Sequence, residues 1–222
     1  MQTPQTIVPL VESKTSGLTI FFGKVYGLLS LTLLTSALAA LWVVKMHPAF
    51  VFNHYIALSL VDLGLVLVCM RVREIPVANL ASLFAFTTLD GILFGPIISN
   101  TIKKSWGPEA VLEALGTTAV VFVGLSAYAL ISKRNFSFME GFLFTGLLVL
   151  LVAILVEYVW SPAIYIEVVS SLAVLLFAGY MIYDTSSAKN NWQETNTVEL
   201  VLSLYLDIAN MLINLLRLFS KD

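Results

Sequence analysis

The sequence predicts an all-α membrane protein with seven transmembrane helices, and three observations support this prediction. Of the 222 residues, 59% are hydrophobic and only 12% are charged, whereas soluble domains carry about 25% charged residues. The charged residues fall mainly at the ends of apolar segments of about 20 residues, the length that crosses a bilayer as a helix. A transmembrane β-barrel would instead show alternating segments of about ten residues.

Charged residues delimit the seven spans in order. Lys24 and Lys45 enclose the first, and the second and third are each interrupted by one acid, Asp62 and Asp90. The fourth and fifth contain no charge, the sixth has an acid near its start, and the seventh contains Asp207. The predicted spans cover residues 25–44, 50–70, 75–102, 114–132, 141–156, 164–183 and 198–218.

The spans define one domain, residues 24–222, preceded by a predicted cytoplasmic tail, residues 1–23. Basic residues concentrate on the cytoplasmic side of membrane proteins. With the N-terminus inside and the C-terminus outside, the inner side would hold Lys14, Lys24, Arg71, Arg73, Lys133, Arg134 and Lys189. The outer side would hold Lys45, Lys103, Lys104, Arg217 and Lys221.

The composition excludes several classes of protein. So few charged residues exclude a soluble enzyme with a small anchor and a disordered chain. A net charge of −2 leaves no basic face for nucleic acid. The single cysteine, Cys69, has no disulfide partner in the chain, and His47 and His54 have no companions at zinc-ligand spacing. We therefore expect no cofactor and no enzymatic activity, and no feature of the sequence fixes an oligomeric state.

Four aspartates lie within the predicted spans or directly at the end of one: Asp62, Asp90, Asp184 and Asp207. An aspartate at the centre of a membrane helix costs about 2.5–3.5 kcal/mol on insertion scales, and such residues usually face the bundle interior or a water-filled cavity. Each acid could be no more than a protonated or hydrogen-bonded packing residue. Asp90 has no evident partner in the sequence.

Asp184 and Asp207 are predicted to form a pair. They lie on consecutive antiparallel spans, 9 and 14 residues from Gln193 in the connecting loop. If the sixth helix continues past Asp184, the two carboxylates approach a similar depth. Two carboxylates in one apolar site repel each other and tend to share one proton. The pair could act as a proton sensor, a cation site, or both.

The seventh span carries a polar stripe. At 100° per residue its polar side chains fall within a sector of about 80°, and the remaining faces are apolar and are expected to face lipid. Such a stripe is either a hydrogen-bonding seam between helices or the wall of an ion path, and the nearby acids favour the ion path. The stripe consists of Ser203, Asp207, Asn210, Asn214 and Arg217.

Arg73 is predicted to lie on the same face of the second helix as Asp62, because eleven residues turn a helix by 20° more than three full turns. It could hold a carboxylate in a breakable latch, or be an ordinary basic residue of the inner membrane surface.

The sequence motifs resemble those of the Bax inhibitor-1 family of seven-helix membrane proteins. The matching segments are GYMIYDTSSAKNN in the sixth span and ELVLSLYLDIANMLINLLRLFS in the seventh, supported by FAFTTLDGILFGPIIS and GTTAVVFVGLSAYAL in the third and fourth. The first span, YGLLSLTLLTSALAA, is most similar to the branch found in bacterial inner membranes. That branch includes a protein that restrains a membrane-anchored, ATP-dependent protease of the FtsH type.

The resemblance implies six helices around a central seventh and, in some members, a pH-dependent calcium leak. It implies that Asp184 and Asp207 form the proton-sensing pair, that Arg73 is the latch, and that Asp62 lines the pore. Because calcium prefers oxygen ligands, Asp184 and Asp207 could also supply some of its ligands. The polar stripe adds Asn210 and Asn214 as pore-lining residues. The resemblance gives no role to Asp90.

Three functions compete at this stage. The first is a cation leak, for calcium, gated by protonation. The second is a modulator that binds an FtsH-type protease through residues 1–23. The third, an intramembrane aspartyl protease, is disfavoured because Asp207 does not follow the Gly-x-Gly of such enzymes. A light- or ligand-driven receptor is disfavoured further, because the seventh span has no lysine for a Schiff base.

Overall fold

The computed structural model describes residues 7–159 and 163–220, and each regular element in this part of the chain is helical. The helices are α1 (Ile7–Met46), α2 (Ala49–Asn53), α3 (Tyr55–Arg71), α4 (Ala78–Ile102), α5 (Gly107–Ile131), α6 (Met139–Val159), α7 (Ala163–Asn190) and α8 (Thr197–Phe219). Six of them, α1 and α4 to α8, are long and apolar enough to cross a membrane. The prediction of an all-α membrane protein is therefore confirmed.

The second predicted span, residues 50–70, is divided between two helices. α2 ends at Asn53 and α3 begins at Tyr55, and the backbone of His54 between them (φ −115°, ψ 22°) departs from helical geometry. The 17 residues of α3 form a helix about 26 Å long, which is close to the shortest that crosses a bilayer. Whether α3 crosses the membrane as the seventh span stays a prediction.

Several helices are longer than the apolar segments that predicted them. α1 begins at Ile7, inside the predicted tail, of which residues 1–6 lie outside the described part of the chain. α5 begins at Gly107 rather than near residue 114, so its first two turns contain Glu109 and Glu113. Hydropathy marks the part of a helix that lies in hydrocarbon, whereas the helix itself continues into the polar interface.

α8 is the most deeply buried helix. Its most apolar 18-residue segment is 67% buried inside the protein, against 11% for α6. α8 packs mainly against α1, α4, α5 and α7, while α3 packs on α4 and α6 packs on α7. The expectation that its apolar faces meet lipid is wrong, because Leu204 and Met211 have no exposed surface. A complete ring of six helices around α8 stays a prediction.

The outer surfaces of the bundle are apolar. Large side chains on three different helices, Ile56 on α3, Val120 on α5, and Phe142 and Leu155 on α6, are each at least 70% exposed. Exposing these apolar groups to water would cost much free energy, whereas contact with lipid chains carries no such cost. The protein is therefore an integral membrane protein.

The helix ends form two faces. On one, which we call the amino-terminal face, Lys189 at the end of α7 donates to the carbonyl oxygens of Ser132 (2.5 Å) and Ala129 (3.3 Å). The same face holds the loops of residues 72–77, 132–138 and 191–196. On the other, the carboxyl-terminal face, Lys104 after α4 donates to the carbonyl oxygen of Ser220 after α8 at 3.0 Å.

α1 and α4 approach each other closely because α4 has two glycines on the contacting side. A Cβ atom at Gly91 would lie 2.3 Å from the carbonyl oxygen of Ser36, and one at Gly95 would lie 2.3 Å from Cβ of Val43. Small residues four apart let membrane helices bring their backbones together. This contact fixes the position of Ser36 beside α8.

Candidate functional site

The two aspartates of the α7–α8 hairpin lie at a similar depth. Asp184 precedes the end of α7 by six residues and Asp207 follows the start of α8 by ten, which are about 9 Å and 15 Å along the helix axes. The helix continues past Asp184 to Asn190, as the pairing requires. The two carboxyl groups are near enough to interact electrostatically.

Asp207 is the more deeply buried of the two. It is 4% exposed, and its Oδ2 atom is buried without a hydrogen bond from any described residue. Buried polar atoms without partners are rare in proteins and usually mark a bound water, an ion or a functional strain. Tyr180, one turn before Asp184 on α7, lies within electrostatic range of both carboxyl groups.

The other polar residues of α8 bond to their own helix. The Asn210 side-chain amide donates to the Leu206 carbonyl oxygen, and the Asn214 amide donates to the Asn210 carbonyl oxygen, both at 2.8 Å. Both amide groups are therefore turned back onto the backbone of α8 in this structure. The assignment of Asn210 and Asn214 to a pore wall stays a prediction.

Arg73 lies at the amino-terminal face, in the loop after α3. α3 ends at Arg71, so the helical spacing used to place Arg73 on the same face as Asp62 does not apply. Its Nη1 donates to both carboxylate oxygens of Glu199, at 2.8 and 2.9 Å. Both side chains are about half exposed. Arg73 thus joins the end of α3 to the first turn of α8 through Glu199 rather than through an aspartate of the hairpin.

Asn196 strengthens this junction and caps α8. Its side-chain oxygen accepts hydrogen bonds from the backbone N–H groups of Val198 and Glu199, which lack partners within the helix. Its amide donates to the Arg73 carbonyl oxygen at 2.9 Å, and the Asn79 amide donates to the same oxygen at 3.0 Å. The start of α8 and the α3–α4 loop are therefore held as one unit.

A second acidic group lies on the other side of α8. The Tyr205 hydroxyl donates to Oδ2 of Asp90 at 2.7 Å and lies 2.8 Å from Oγ of Ser36. Tyr205 and Asp207 are two residues apart, which is 200° of rotation, so they point to opposite sides of the helix. Asp90, which has no evident partner in the sequence, is therefore hydrogen-bonded.

Asp62 belongs to this second group. It is half-buried on α3, interacts electrostatically with Asp90, and its Oδ1 atom is buried without a hydrogen bond from the described residues. α8 thus lies between two carboxyl pairs, Asp184 with Asp207 and Asp62 with Asp90.

Comparison with known proteins identifies the family. The family model described as inhibitor of apoptosis-promoting Bax1 matches residues 18–222. The chain belongs to the Bax inhibitor-1 family. It is 35% identical to an uncharacterized membrane protein of Vibrio cholerae, with 88% of this chain and 86% of that one covered.

Three further relatives of this Bax inhibitor-1 family protein have descriptive names. It is 34% identical to protein lifeguard 4 of Mus musculus, with 89% of this chain and 83% of that one covered. It is 32% identical to the modulator of FtsH protease YccA of Escherichia coli, with 88% and 87% covered. The same level of identity relates it to an Escherichia coli chain named inner membrane protein YccA.

The structure of this Bax inhibitor-1 family protein brings the predicted residues into three groups rather than one. Asp184 and Asp207 form the hairpin pair, Asp62 joins Asp90, and Arg73 joins Glu199. In residues 7–159 and 163–220, no three or more His, Cys, Asp or Glu side chains are gathered as metal ligands. The hairpin pair alone offers too few ligands for Ca²⁺, which takes six to eight oxygens.

Sequence reasoning missed three participants, Glu199, Tyr205 and Ser36. Glu199 looks like an ordinary acid in the first turn of a helix, where the helix dipole favours it. Tyr205 carries a signal in the sequence, because its hydroxyl group lies on the side of α8 opposite Asp207 and requires a hydrogen-bond partner there. Ser36 carries no such signal, because its place beside α8 depends on the close contact between α1 and α4.

Proposed function

We propose that the protein is a cation leak of a bacterial inner membrane, suited to calcium, whose opening is controlled by protonation of Asp184 and Asp207. The observation that carries this proposal is the carboxyl pair on neighbouring helices, with one oxygen of Asp207 buried and unbonded. The N-terminus would be cytoplasmic and the C-terminus outside, so the pair would respond to the pH of the cytoplasm.

The gating argument follows from the electrostatics of an apolar interior. Two ionised carboxylates at short range repel strongly when water does not screen them, so the pair is favoured when it holds a proton. Loss of that proton would push α7 and α8 apart at the depth of the pair. Because α8 packs against α1, α4, α5 and α7, such a shift would repack the centre of the bundle.

The carboxylate oxygens also suit the proposed cargo. Calcium is a hard cation that prefers oxygen ligands. A pair of carboxylates would attract it, while water and backbone carbonyl groups would complete its coordination. Such a partial site would pass an ion rather than hold it.

Ion flux should depend on pH through this pair. In proteoliposomes containing a calcium-sensitive dye, the wild-type protein should show a flux that changes across the range from acidic to neutral pH. Asp184→Asn and Asp207→Asn should each flatten that dependence, because an amide does not titrate. Glu113→Gln, at an exposed acid on α5, should leave the dependence unchanged.

Two results would contradict the proposal. A pH dependence that persists unchanged in both aspartate variants would remove the gate from the hairpin pair. The absence of flux from the wild-type protein at every pH would remove the leak itself.

We also propose that the ion pair between Arg73 and Glu199 restrains the opening. Exposed ion pairs contribute about 0.2–1 kcal/mol, which suits a latch that must break. Glu199→Gln should therefore raise calcium flux at the pH where the wild type is closed, by about fivefold at most. Glu194→Gln changes an exposed acid in the neighbouring loop and should have no effect. Equal flux in the wild type and Glu199→Gln would remove the latch from the mechanism.

A second function is favoured by one relative. The Escherichia coli protein that is 32% identical to this chain is named modulator of FtsH protease. We propose, as the alternative function, that this chain binds a membrane-anchored protease of that type through its N-terminal region, residues 1–23.

Co-purification would test the alternative. The full chain should retain an FtsH-type protease, and a chain without residues 1–15, which precede the candidate span Ser16–Met46, should not. A chain in which residues 1–15 are kept in scrambled order controls for length. If removal of these residues changes neither binding nor proteolysis, the N-terminal region is not the binding element.

A further inference from the structure

A large apolar cavity opens in the side of the bundle, and its lining includes none of the four aspartates of the two carboxyl pairs. Its volume is about 620 Å³, and its walls come from α1, α4, α5 and α8. Small-molecule sites in proteins usually measure about 300–1,000 Å³. The volume therefore suits a ligand rather than a few water molecules.

The cavity runs from the middle of the bundle to the carboxyl-terminal face. On α1 it is lined from Leu33 to Val44, which is about 16 Å along the helix axis. On α5 it is lined from Val111 to Val123, about 18 Å. One leaflet of the hydrocarbon core is about 15 Å deep, half of the usual 30 Å. The cavity therefore spans the depth of one leaflet.

The cavity opens sideways, between α1 and α5. α4 and α8 form its floor, and the rings of Tyr26 on α1 and Phe122 on α5 meet at 6.1 Å near its deep end. Toward the carboxyl-terminal face, wall residues are open to the outside, with Leu41 47% and Leu115 48% exposed. In a bilayer this opening would face lipid chains.

The polar groups in the walls are already hydrogen-bonded. The three hydroxyl side chains that line the cavity belong to Ser36, Thr118 and Tyr205. Thr118 donates to the Ala114 carbonyl oxygen at 2.7 Å, and Tyr205 is bonded to Asp90 and close to Ser36. A polar ligand would find few partners here, whereas an alkyl chain requires none.

Basic residues lie at the outer end of the cavity. Lys45 follows the lining residue Val44 directly, and Lys103 follows Ile102, and both lysines are exposed. Two acids of α5, Glu109 and Glu113, lie two residues on either side of the lining residue Val111. At 100° per residue they are on the opposite side of that helix. The mouth of the cavity is therefore positive, which complements a phosphate group.

We propose that this cavity binds one acyl chain of a bilayer phospholipid, with the phosphate of that lipid beside Lys45 and Lys103. The length, the apolar walls, the opening toward lipid and the positive mouth each match one part of such a molecule. The bound chain would fill the space between α1 and α5 and contact the floor formed by α8. This proposal does not depend on the leak, because it involves neither Asp184 nor Asp207.

Photo-crosslinking would test the proposal. The full-length protein is reconstituted into vesicles of phosphatidylethanolamine and phosphatidylglycerol that contain a phosphatidylglycerol with a diazirine in one acyl chain. After illumination, mass spectrometry should find labels in residues 33–44 and 111–123. Labels on the outward face of α6, which bulk lipid contacts, provide the internal reference.

Filling the cavity should remove the specific labels. Ala37 and Ala119 line the cavity and are exposed, so the double variant Ala37→Phe/Ala119→Phe adds bulk without entering the packed core. We expect labelling of the two segments to fall about tenfold relative to α6, equivalent to about 1.4 kcal/mol of binding free energy. Ala127→Phe places the same ring at an exposed position of α5 outside the cavity and should change nothing.

Further arms separate the lipid from other occupants. Lys45→Gln/Lys103→Gln should reduce labelling by the phospholipid severalfold, and native mass spectrometry of the wild type should retain a phospholipid that this variant loses. Equal labelling of the wild type and the filled variant, relative to α6, would overturn the proposal. Stronger labelling by a photoactivatable free fatty acid than by the phospholipid would also overturn it.

Discussion

Gly91→Ala is expected to lower the free energy of unfolding by about 3 kcal/mol, at the upper end of the usual range for overpacked cores. The added Cβ would lie 2.3 Å from the Ser36 carbonyl oxygen and 2.7 Å from its Cα. Both obstructing atoms belong to the backbone of α1, so no side-chain rotation relieves the clash. The two helices would have to move apart.

The separation would reach the centre of the bundle. Ser36 lies 2.8 Å from the Tyr205 hydroxyl, and Tyr205 donates to Asp90 at 2.7 Å. When α1 moves, the Tyr205 hydroxyl loses its contact with Ser36. A hydroxyl group with fewer hydrogen-bond partners is costly in an apolar interior. The stability loss therefore contains a packing part and a polar part.

Thermal unfolding in detergent, followed by circular dichroism, would measure the effect, with size-exclusion chromatography to follow the folded fraction. Gly64→Ala and Gly116→Ala are matched controls, because a Cβ at either glycine meets nothing within 4 Å. In helices, alanine is favoured over glycine by about 1 kcal/mol, so both controls should be neutral or stabilising. If Gly91→Ala were as stable as these controls, α1 and α4 would not approach each other closely at Gly91.

The hairpin of α7 and α8 was the part of the site most accessible from sequence. Its polar loop, its two apolar helices and the positions of its acids are all local features, and local features follow from helical periodicity. The prediction needed only that α7 continue past Asp184, and α7 ends at Asn190. The pairing of the two carboxyl groups depends on no other element of the fold.

Long-range contacts were harder to predict. Tyr205 contacts Asp90 and Ser36 only because α8 lies between α4 and α1. The periodicity of a single helix does not predict which other helices pack against it. The placement of Arg73 failed for a different reason. Its spacing from Asp62 assumed one continuous helix, whereas α3 ends at Arg71 and the arginine turns to Glu199. A rule that is based on helical rotation does not apply to residues in a loop.

α8 is also more deeply buried than its polar stripe predicted. A polar stripe on an apolar helix suggests that the opposite faces meet lipid, and hydrocarbon and protein interior are similarly apolar. Sequence therefore does not distinguish Leu204 against a neighbouring helix from the same side chain against an acyl chain. The structure places Leu204 and Met211 entirely within the protein.

Asp207→Asn is expected to make the folded protein more stable by about 1–3 kcal/mol at neutral pH, because it removes a negative charge that is buried without a hydrogen bond to one of its oxygens and repelled by Asp184. Asp207 is 4% exposed, its Oδ2 accepts no hydrogen bond from the described residues, and Asp184 lies within electrostatic range. The amide has nearly the same shape and carries no charge, so it removes the repulsion and the cost of burying an anion without opening a cavity.

Thermal unfolding of purified protein at neutral pH would measure this gain, with Glu113→Gln as the control because that acid is exposed and should change stability by less than about 0.5 kcal/mol. A gain in stability combined with a loss of pH-dependent flux would mean that the carboxylate is retained for function at the expense of folding, as at other functional sites. A loss of stability would mean the opposite, that the Asp207 carboxyl group holds α7 and α8 together. The gating role would then lose its physical basis, because a group that stabilises the closed bundle in its charged form has no reason to open it.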